Sequence, residues 1–244
     1  MEKRANYPWI VVKLSGEFLA LNNPETTQGV AALAQDIMKL SGRYRCALVI
    51  GAGNILRGSS LSQSLGVSTS AAHYAGMAAT LVNGIILSNL LTKAGCKNTL
   101  ISALAIPSVA QDIGLPALAQ ISENESGVPI FVGGIGTPYL TTDTTAVIRG
   151  LQLGAHSVLK LTNVDGVFSA DPHKNPHAKV ISSLSYDEYL EKKLTIVDAT
   201  AVVMARDSAL PLIVAKHHMS APISSIIDKI YSASIITDTH KDLL

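Results

Sequence analysis

Aromatic side chains are scarce in this chain: they make up 5% of 244 residues, with one Trp and three Phe, so the core must be packed mainly by aliphatic groups. Charge is scarce as well. Asp, Glu, Lys and Arg account for 15%, and 19 basic against 18 acidic residues give a formal net charge of +1, too little to gather nucleic acid or an anionic membrane surface. Small molecules are the ligands this balance favours. The two cysteines, Cys46 and Cys96, lack metal-ligand spacing and read as small apolar core residues in a reducing compartment. The opening MEKRANYPWIVVKL holds only a strand-length apolar run, not a signal-peptide core, so a cytoplasmic location is expected. No Asp, Glu, Lys or Arg occurs between Arg57 and Lys93, but Ser, Thr, Asn, Gln and Gly interrupt that stretch. It therefore reads as a loop and a buried helix rather than a membrane span. Also missing are the G-x-x-x-x-G-K-[ST] loop, H-E-x-x-H and G-x-S-x-G, which removes three common catalytic schemes. His156, His173, His177, His217 and His218 have no carboxylate or cysteine at ligand spacing and read as surface residues.

What is present is an aliphatic alternation. With 48% hydrophobic residues, strand-length runs at 9–14, 46–50, 98–104, 128–133 and 156–161 alternate with helical patterns at about 26–40 and 71–93. This order predicts a three-layer α/β/α sandwich with a mainly parallel central sheet, formed by a single domain over 1–244. Ligands of such sheets lie beyond the carboxyl ends of the strands, and the unusual residues fall there. A nucleotide-facing half after about residue 150 is expected within that unit.

Four loops carry the candidate chemistry. KLSGE (13–17) can aim the Lys13 ammonium and backbone N–H groups at a phosphate; the alternative is a lysine snorkelling from a strand end. VIGAGNILRG (49–58) begins like a dinucleotide fingerprint, but its third glycine position is Leu56 and no acid follows about 20 residues on, so the nicotinamide reading fails. Its glycines would still admit an anion, with Arg57 as a forked clamp. GGIGTPYLTTDTT (133–145) ends in a capping sequence that turns helix N–H groups toward the sheet edge, although Thr142 or Asp143 could simply cap the helix. LKLTNVDGVFSADPHKNP (159–176) places Lys160 at a strand end, then Phe168 and Asp171 on an excursion that could flank a base and a ribose, or form a plain hairpin with an exposed Phe.

Taken in order, KLSGE, VIGAGNILRG, GMAATLVNG, GTPYLTTDT, LKLTNVDGVFSADPHKNP, LSYDEYL and TIVDATAVVMARDSALPLIV resemble the bacterial uridylate kinases, a branch of the amino acid kinase family, from about Val11 to Val214. The resemblance implies a homohexamer built as a trimer of dimers and Mg²⁺-dependent transfer of the ATP γ-phosphoryl group to UMP. It places Lys13, Leu14, Ser15, Gly16, Gly53 and Arg57 at the ATP phosphates and Thr162, Asn163, Phe168 and Asp171 around adenosine. UMP would meet Ala52, Arg57, His73 and the run Ile135, Gly136, Thr137, Pro138, Tyr139, Leu140, Thr141 and Thr142. Lys13, Arg57, Asp143, Lys160 and Asp198 would form the catalytic network. Such chemistry needs no general base, because a phosphate monoester has a second pKa of about 6 and is already ionised near neutrality. Positioning and charge neutralisation remain to be supplied.

The match breaks at four positions. Ala52 replaces the middle glycine of the family's G-G-G-N, Ile135 and Thr137 replace the Thr and Asn of G-T-G-N-P, and His73 stands where family members carry aspartate. These departures leave open a nucleotide-binding sensor or storage protein, or a kinase for another small acceptor.

Overall fold

Trp9–Leu14 (β1) and Arg45–Ile50 (β2) are buried at every position, Lys13 and Arg45 included, as largely apolar runs in a sheet covered on both faces should be. The computed structural model describes residues 7–20, 23, 25–56, 58–123, 127–170, 175, 177–216, 223–227 and 233–238. The remaining strands are Asn98–Ser102 (β3), Gln111–Asp112 (β4), Val128–Val132 (β5), Ser157–Thr162 (β6), Val167–Phe168 (β7), Val180–Ile181 (β8), Ser183–Leu184 (β9), Leu212–Lys216 (β10) and Ala233–Ile236 (β11). The helices are Glu25–Leu40 (α1), Gly58–Leu65 (α2), Thr69–Lys93 (α3), Leu115–Glu123 (α4), Thr142–Leu153 (α5), Tyr186–Glu191 (α6), Ala199–Asp207 (α7) and Ile223–Ile227 (α8), with a 3₁₀ turn at Gly16–Leu19.

Among the described residues, nine strands form one sheet in the order β4-β3-β5-β2-β1-β6-β10-β11-β9, and every neighbouring pair is parallel except β10 with β11. The expected mainly parallel three-layer sandwich is therefore what the chain forms. Alternation along β1 distributes the layers. Ile10, Val12 and Leu14 face a core shared with α1, α3 and α8, whereas Trp9 and Val11 face one shared with α5, α6 and α7. Strand β1 lies between β2 and β6, the point where chain order reverses and where a ligand crevice opens.

α3 has no single apolar stripe: one side packs on the sheet, while Tyr74, Val82 and Ile85 form an exposed apolar line. Met77, Leu81, Leu87 and Leu91 are buried, and Gly84 sits so close to the sheet that a Cβ there would lie 2.4 Å from Val132 Cγ1. By length and composition alone this helix could cross a membrane, but its contacts with β3 and β5 place it in the core layer. The stretch read as a loop before it contains helix α2. GSSLSQSL is short and Ser-rich, with only Leu61 and Leu65 as large apolar side chains, and its packing on α3 supplies what local propensity does not. Strand 98–104 stops at Ser102, and β6 continues past Lys160 to Thr162, so that lysine is inside the strand rather than at its end. Both cysteines are buried thiols, as expected.

Candidate active site

Strand parity and register build the charged centre. Lys13 shares the face of Trp9 and Val11, Lys160 shares the face of Val158, and the β1–β6 register pairs Lys13 directly with Lys160. Two ammonium groups are thus set side by side under α5. Alone they would repel in a site with little water. Asp143, in the first turn of α5, lies between them: Lys13 Nζ is 3.0 Å from Asp143 Oδ1, and Lys160 Nζ donates to Oδ2. Lys160 also donates to the Ile196 carbonyl. Burial by itself would raise the Asp143 pKa, but Lys13 and Lys160 together outweigh it and hold the carboxyl below the ordinary aspartate value. Burial, helped by the like charge of Lys13, draws the Lys160 ammonium below the ordinary lysine value against the pull of Asp143. The snorkelling alternative for Lys13 is overturned, since it is only 8% exposed and ion-paired inside the fold.

A second carboxylate secures the same helix end. Asp198 caps α7 by accepting from Ala201 N at 2.9 Å, and it accepts from the Thr141 hydroxyl and from Thr144 Oγ1 at 3.0 Å. Thr141, not Thr142 or Asp143, is the N-cap of α5, accepting from Asp143 N at 3.0 Å. Asp143 is committed to the two lysines instead.

Three glycine loops meet above this centre. A Cβ on Gly16 would lie 2.4 Å from Gly53 N and 2.7 Å from the Ala52 carbonyl carbon, so the first and second loops touch main chain to main chain. One on Gly51 would lie 3.5 Å from Thr142 Oγ1, at the head of α5. Buried Asn83 on α3 fixes the second loop, donating to the Gly51 carbonyl and to Asn54 Oδ1, both at 2.7 Å, while Asn54 donates to the Leu19 carbonyl at 2.9 Å. A cleft of about 120 Å³ lined by Leu14, Ser15, Glu17, Phe18, Leu161, Thr162 and Asn163 joins the first and fourth loops.

Residues 8–216 match the amino acid kinase family, which spans most of the sheet and all of this centre. The chain belongs to the amino acid kinase family. Among curated relatives it is 40% identical to a uridylate kinase of Bradyrhizobium over 214 residues, covering 85% of this chain and 88% of that protein. It is also 40% identical to a uridylate kinase of Nitrobacter winogradskyi over 216 residues, covering 86% and 89%. Among solved structures, a UMP kinase from Ureaplasma parvum superposes with a TM-score of 0.86 at 30% identity, covering 96% of this chain and all of that one. A UMP kinase from Bacillus anthracis gives a TM-score of 0.86 at 29% identity, covering 95% and 96%.

In this family member the third loop is the most constrained backbone of the site. Gly133, Gly134 and Gly136 take φ of +73°, +58° and +80°, and a Cβ on Gly136 would lie 2.8 Å from the Ala103 carbonyl oxygen. Tyr139 takes φ +73° without being glycine and stands 66% exposed. His73, in the second turn of α3, packs against it with ring centroids 5.2 Å apart and planes tilted by 43°. His73 therefore joins the 135–142 run rather than pointing away from it. Ala52 is buried, Ile135, Pro138, Leu140 and Thr142 are half-buried, and Thr137 is exposed. In the fourth loop, β7 and β8 form the hairpin weighed as an alternative, with Phe168 half-buried rather than exposed. Arg57 and Asp171 lie outside the described residues, as do His173, His217 and His218. His177 is exposed and His156 is half-buried ahead of β6, at the opposite end of the sheet.

Asn83, Thr144 and the Ile196 carbonyl also belong to this centre, beyond the residues expected from the sequence. Asn83 had a signal, an amide inside the apolar run TLVNGII; a main-chain carbonyl has none. Among the described residues no three His, Cys, Asp or Glu side chains cluster as a metal-ligand set, and both carboxylates of the centre are committed to lysines, threonines or a helix cap.

Proposed function

We propose that this chain transfers the γ-phosphoryl group of ATP to UMP, giving ADP and UDP for pyrimidine nucleotide biosynthesis. The observation that carries the reading is the Lys13–Asp143–Lys160 centre in the carboxyl-terminal halves of β1 and β6, with glycine loops converging above it. Similarity to uridylate kinases along most of the chain supports the choice of acceptor.

The two ammonium groups would neutralise charge on the moving phosphoryl group, preorganised by Asp143 so that no solvent shell has to rearrange. Asp198 holds Thr141 and Thr144 at the α5 N-terminus, whose N–H groups would face the acceptor phosphate. Lys13 to Gly16, Gly53 and Arg57 would take the ATP phosphates, and Thr162, Asn163, Phe168 and Asp171 the adenosine. Ala52, His73 and Ile135 to Thr142 would take UMP. In this reading ATP belongs mainly to the half after about residue 150 and the acceptor to the half before it. Magnesium is taken as part of the Mg–ATP substrate, held on phosphate oxygens. A sensor or storage protein would have no use for two buried lysines at a transfer point, which argues against binding without turnover.

The exposed line of α3 supports a second copy as partner: Tyr74, Val82 and Ile85 are 45%, 46% and 43% exposed with no charge among them. We take the assembly as a trimer of such dimers, working in the cytoplasm where both nucleotides are made.

A coupled assay of ADP release with UMP, dUMP, CMP and no acceptor tests the function. UMP should be the preferred acceptor. ADP release independent of UMP, or preference for a different acceptor, would refute the reading.

A further inference from the structure

The motif LSYDEYL is the one sequence signature that the centre described above does not use, yet it ends in a buried hydroxyl aimed at that centre. Ser185 starts α6 with a capping box, accepting from Glu188 N at 3.1 Å while Ser185 N donates to Glu188 Oε2 at 2.8 Å. This fixes the helix turn that carries Tyr189, which is 0% exposed. The Tyr189 hydroxyl accepts from Val197 N at 2.7 Å and donates to the Val197 carbonyl at 2.8 Å. Val197 belongs to no helix or strand, so no ladder holds it. Its neighbours are Ile196, whose carbonyl accepts from Lys160 Nζ, and Asp198, which receives Thr141, Thr144 and the α7 cap.

We propose that Tyr189 is a positioning residue for phosphoryl transfer: its hydroxyl pins Val197 on both main-chain sides and thereby sets the Ile196 carbonyl against Lys160 and Asp198 against the head of α5. The proposal rests on the phosphotransfer reading of this site. Burial, together with the charges of Asp143 and Asp198, raises the phenol's pKa against the opposing effect of the Val197 hydrogen bond. The hydroxyl therefore stays neutral at working pH and serves as a fixed donor and acceptor, not as an acid or base. A displaced Ile196 carbonyl would leave the Lys160 ammonium with less support, so its pKa would fall further. The loss would appear in the transition state rather than in nucleotide binding, because Tyr189 lies beneath the lysines and lines no part of the cleft between the first and fourth loops.

The test is Tyr189→Phe in the full chain, assayed by ADP release with ATP and UMP and corrected for folded fraction by circular dichroism. We expect kcat to fall about 10- to 100-fold with both KM values within about twofold, and the alkaline limb of the kcat profile to move to lower pH. Tyr186→Phe is the control, since Tyr186 is equally buried but donates to the Leu210 carbonyl at 2.7 Å, away from the lysines. It should leave kcat and the limb unchanged. A normal kcat in Tyr189→Phe, or an equal loss in Tyr186→Phe, overturns the positioning role. Should Tyr189→Phe not fold, 4-aminophenylalanine at position 189 keeps the ring and a donor to the Val197 carbonyl but gives up the good acceptor for Val197 N–H. A displaced limb at constant KM supports the role, and an undisplaced one overturns it. Failure of the unsubstituted chain to use UMP would be a different result, refuting the substrate reading.

Discussion

Asp143→Asn is the substitution that most directly probes why two lysines can share one buried site. It keeps the side-chain volume and removes only the charge. At the 3.0 Å separation from Lys13, with an effective dielectric of about 20, the gross attraction is about 5–6 kcal/mol. Removing one partner of a buried pair costs about 3–5 kcal/mol, because the surviving charge has already lost its water. Here the side chains are 10%, 11% and 15% exposed and two cations would remain, so the upper part of that range applies near neutral pH. At about 2–4 °C per kcal/mol for a chain of this length, the melting temperature should drop by about 8–20 °C. The pH dependence gives the argument a sign. Asp143 has a folded pKa below its unfolded value, so its stabilisation is present above about pH 4 and is lost as pH falls through the lower folded pKa. The gap between the two proteins should therefore close in acid. On the alkaline side it should narrow as well, because Lys160, already displaced downward by burial, can shed its proton in the variant and relieve the repulsion. Thermal unfolding followed by circular dichroism from about pH 3 to about pH 10 measures all three regions. A melting temperature within about 2 °C of the parent at neutral pH would refute the account of the centre as a charge-balanced triad.

His73→Asp should lower KM for UMP about tenfold and sharpen the preference for UMP over dUMP, because a carboxylate accepts from both ribose hydroxyls where a neutral imidazole has one acceptor; unchanged KM for both would make His73 a bystander to Tyr139. Asn83→Leu should destabilise the fold by about 1–3 kcal/mol per polar group left unpaired, read by urea denaturation, since the Gly51 carbonyl and Asn54 lose their buried partner; a loss under about 0.5 kcal/mol would contradict it. Val82→Arg should shift the mass seen by light scattering to a smaller species, and an unchanged mass would remove α3 from the assembly interface.

The sheet was legible in the sequence because aliphatic runs such as WIVV and VPIFV have one stable use, burial on both faces between helices. Gly-rich turns after those runs likewise marked which sheet edge would carry chemistry. The pairing of Lys13 with Lys160 was not legible, since it depends on the register between strands far apart in the chain, and register is settled by packing rather than by local composition. Helix α2 is not legible for a related reason, as GSSLSQSL is short and Ser-rich with two large apolar side chains, and it is its packing on α3 that holds it. Backbone partners such as the Ile196 carbonyl carry no residue-type signal. His73 was expected at the acceptor loop from its place in a motif, and its contact with Tyr139 puts it beside that loop.

The location of Lys13 in β1 and of its counter-ion in α5 has a consequence for how this chain is made. At roughly 5–20 residues per second, a ribosome that has just added Lys13 takes roughly 6–26 seconds to reach Asp143. During that interval an ammonium group on the inner face of the first strand has nothing to neutralise it. It must stay hydrated, so the early half of the chain can form α1 and the β1–β2 pair but cannot seal the face beneath α5. Nascent chains ending before Thr142 should therefore remain open on that side and depend on chaperones or delay. The fold closes late, at the same step that completes its site.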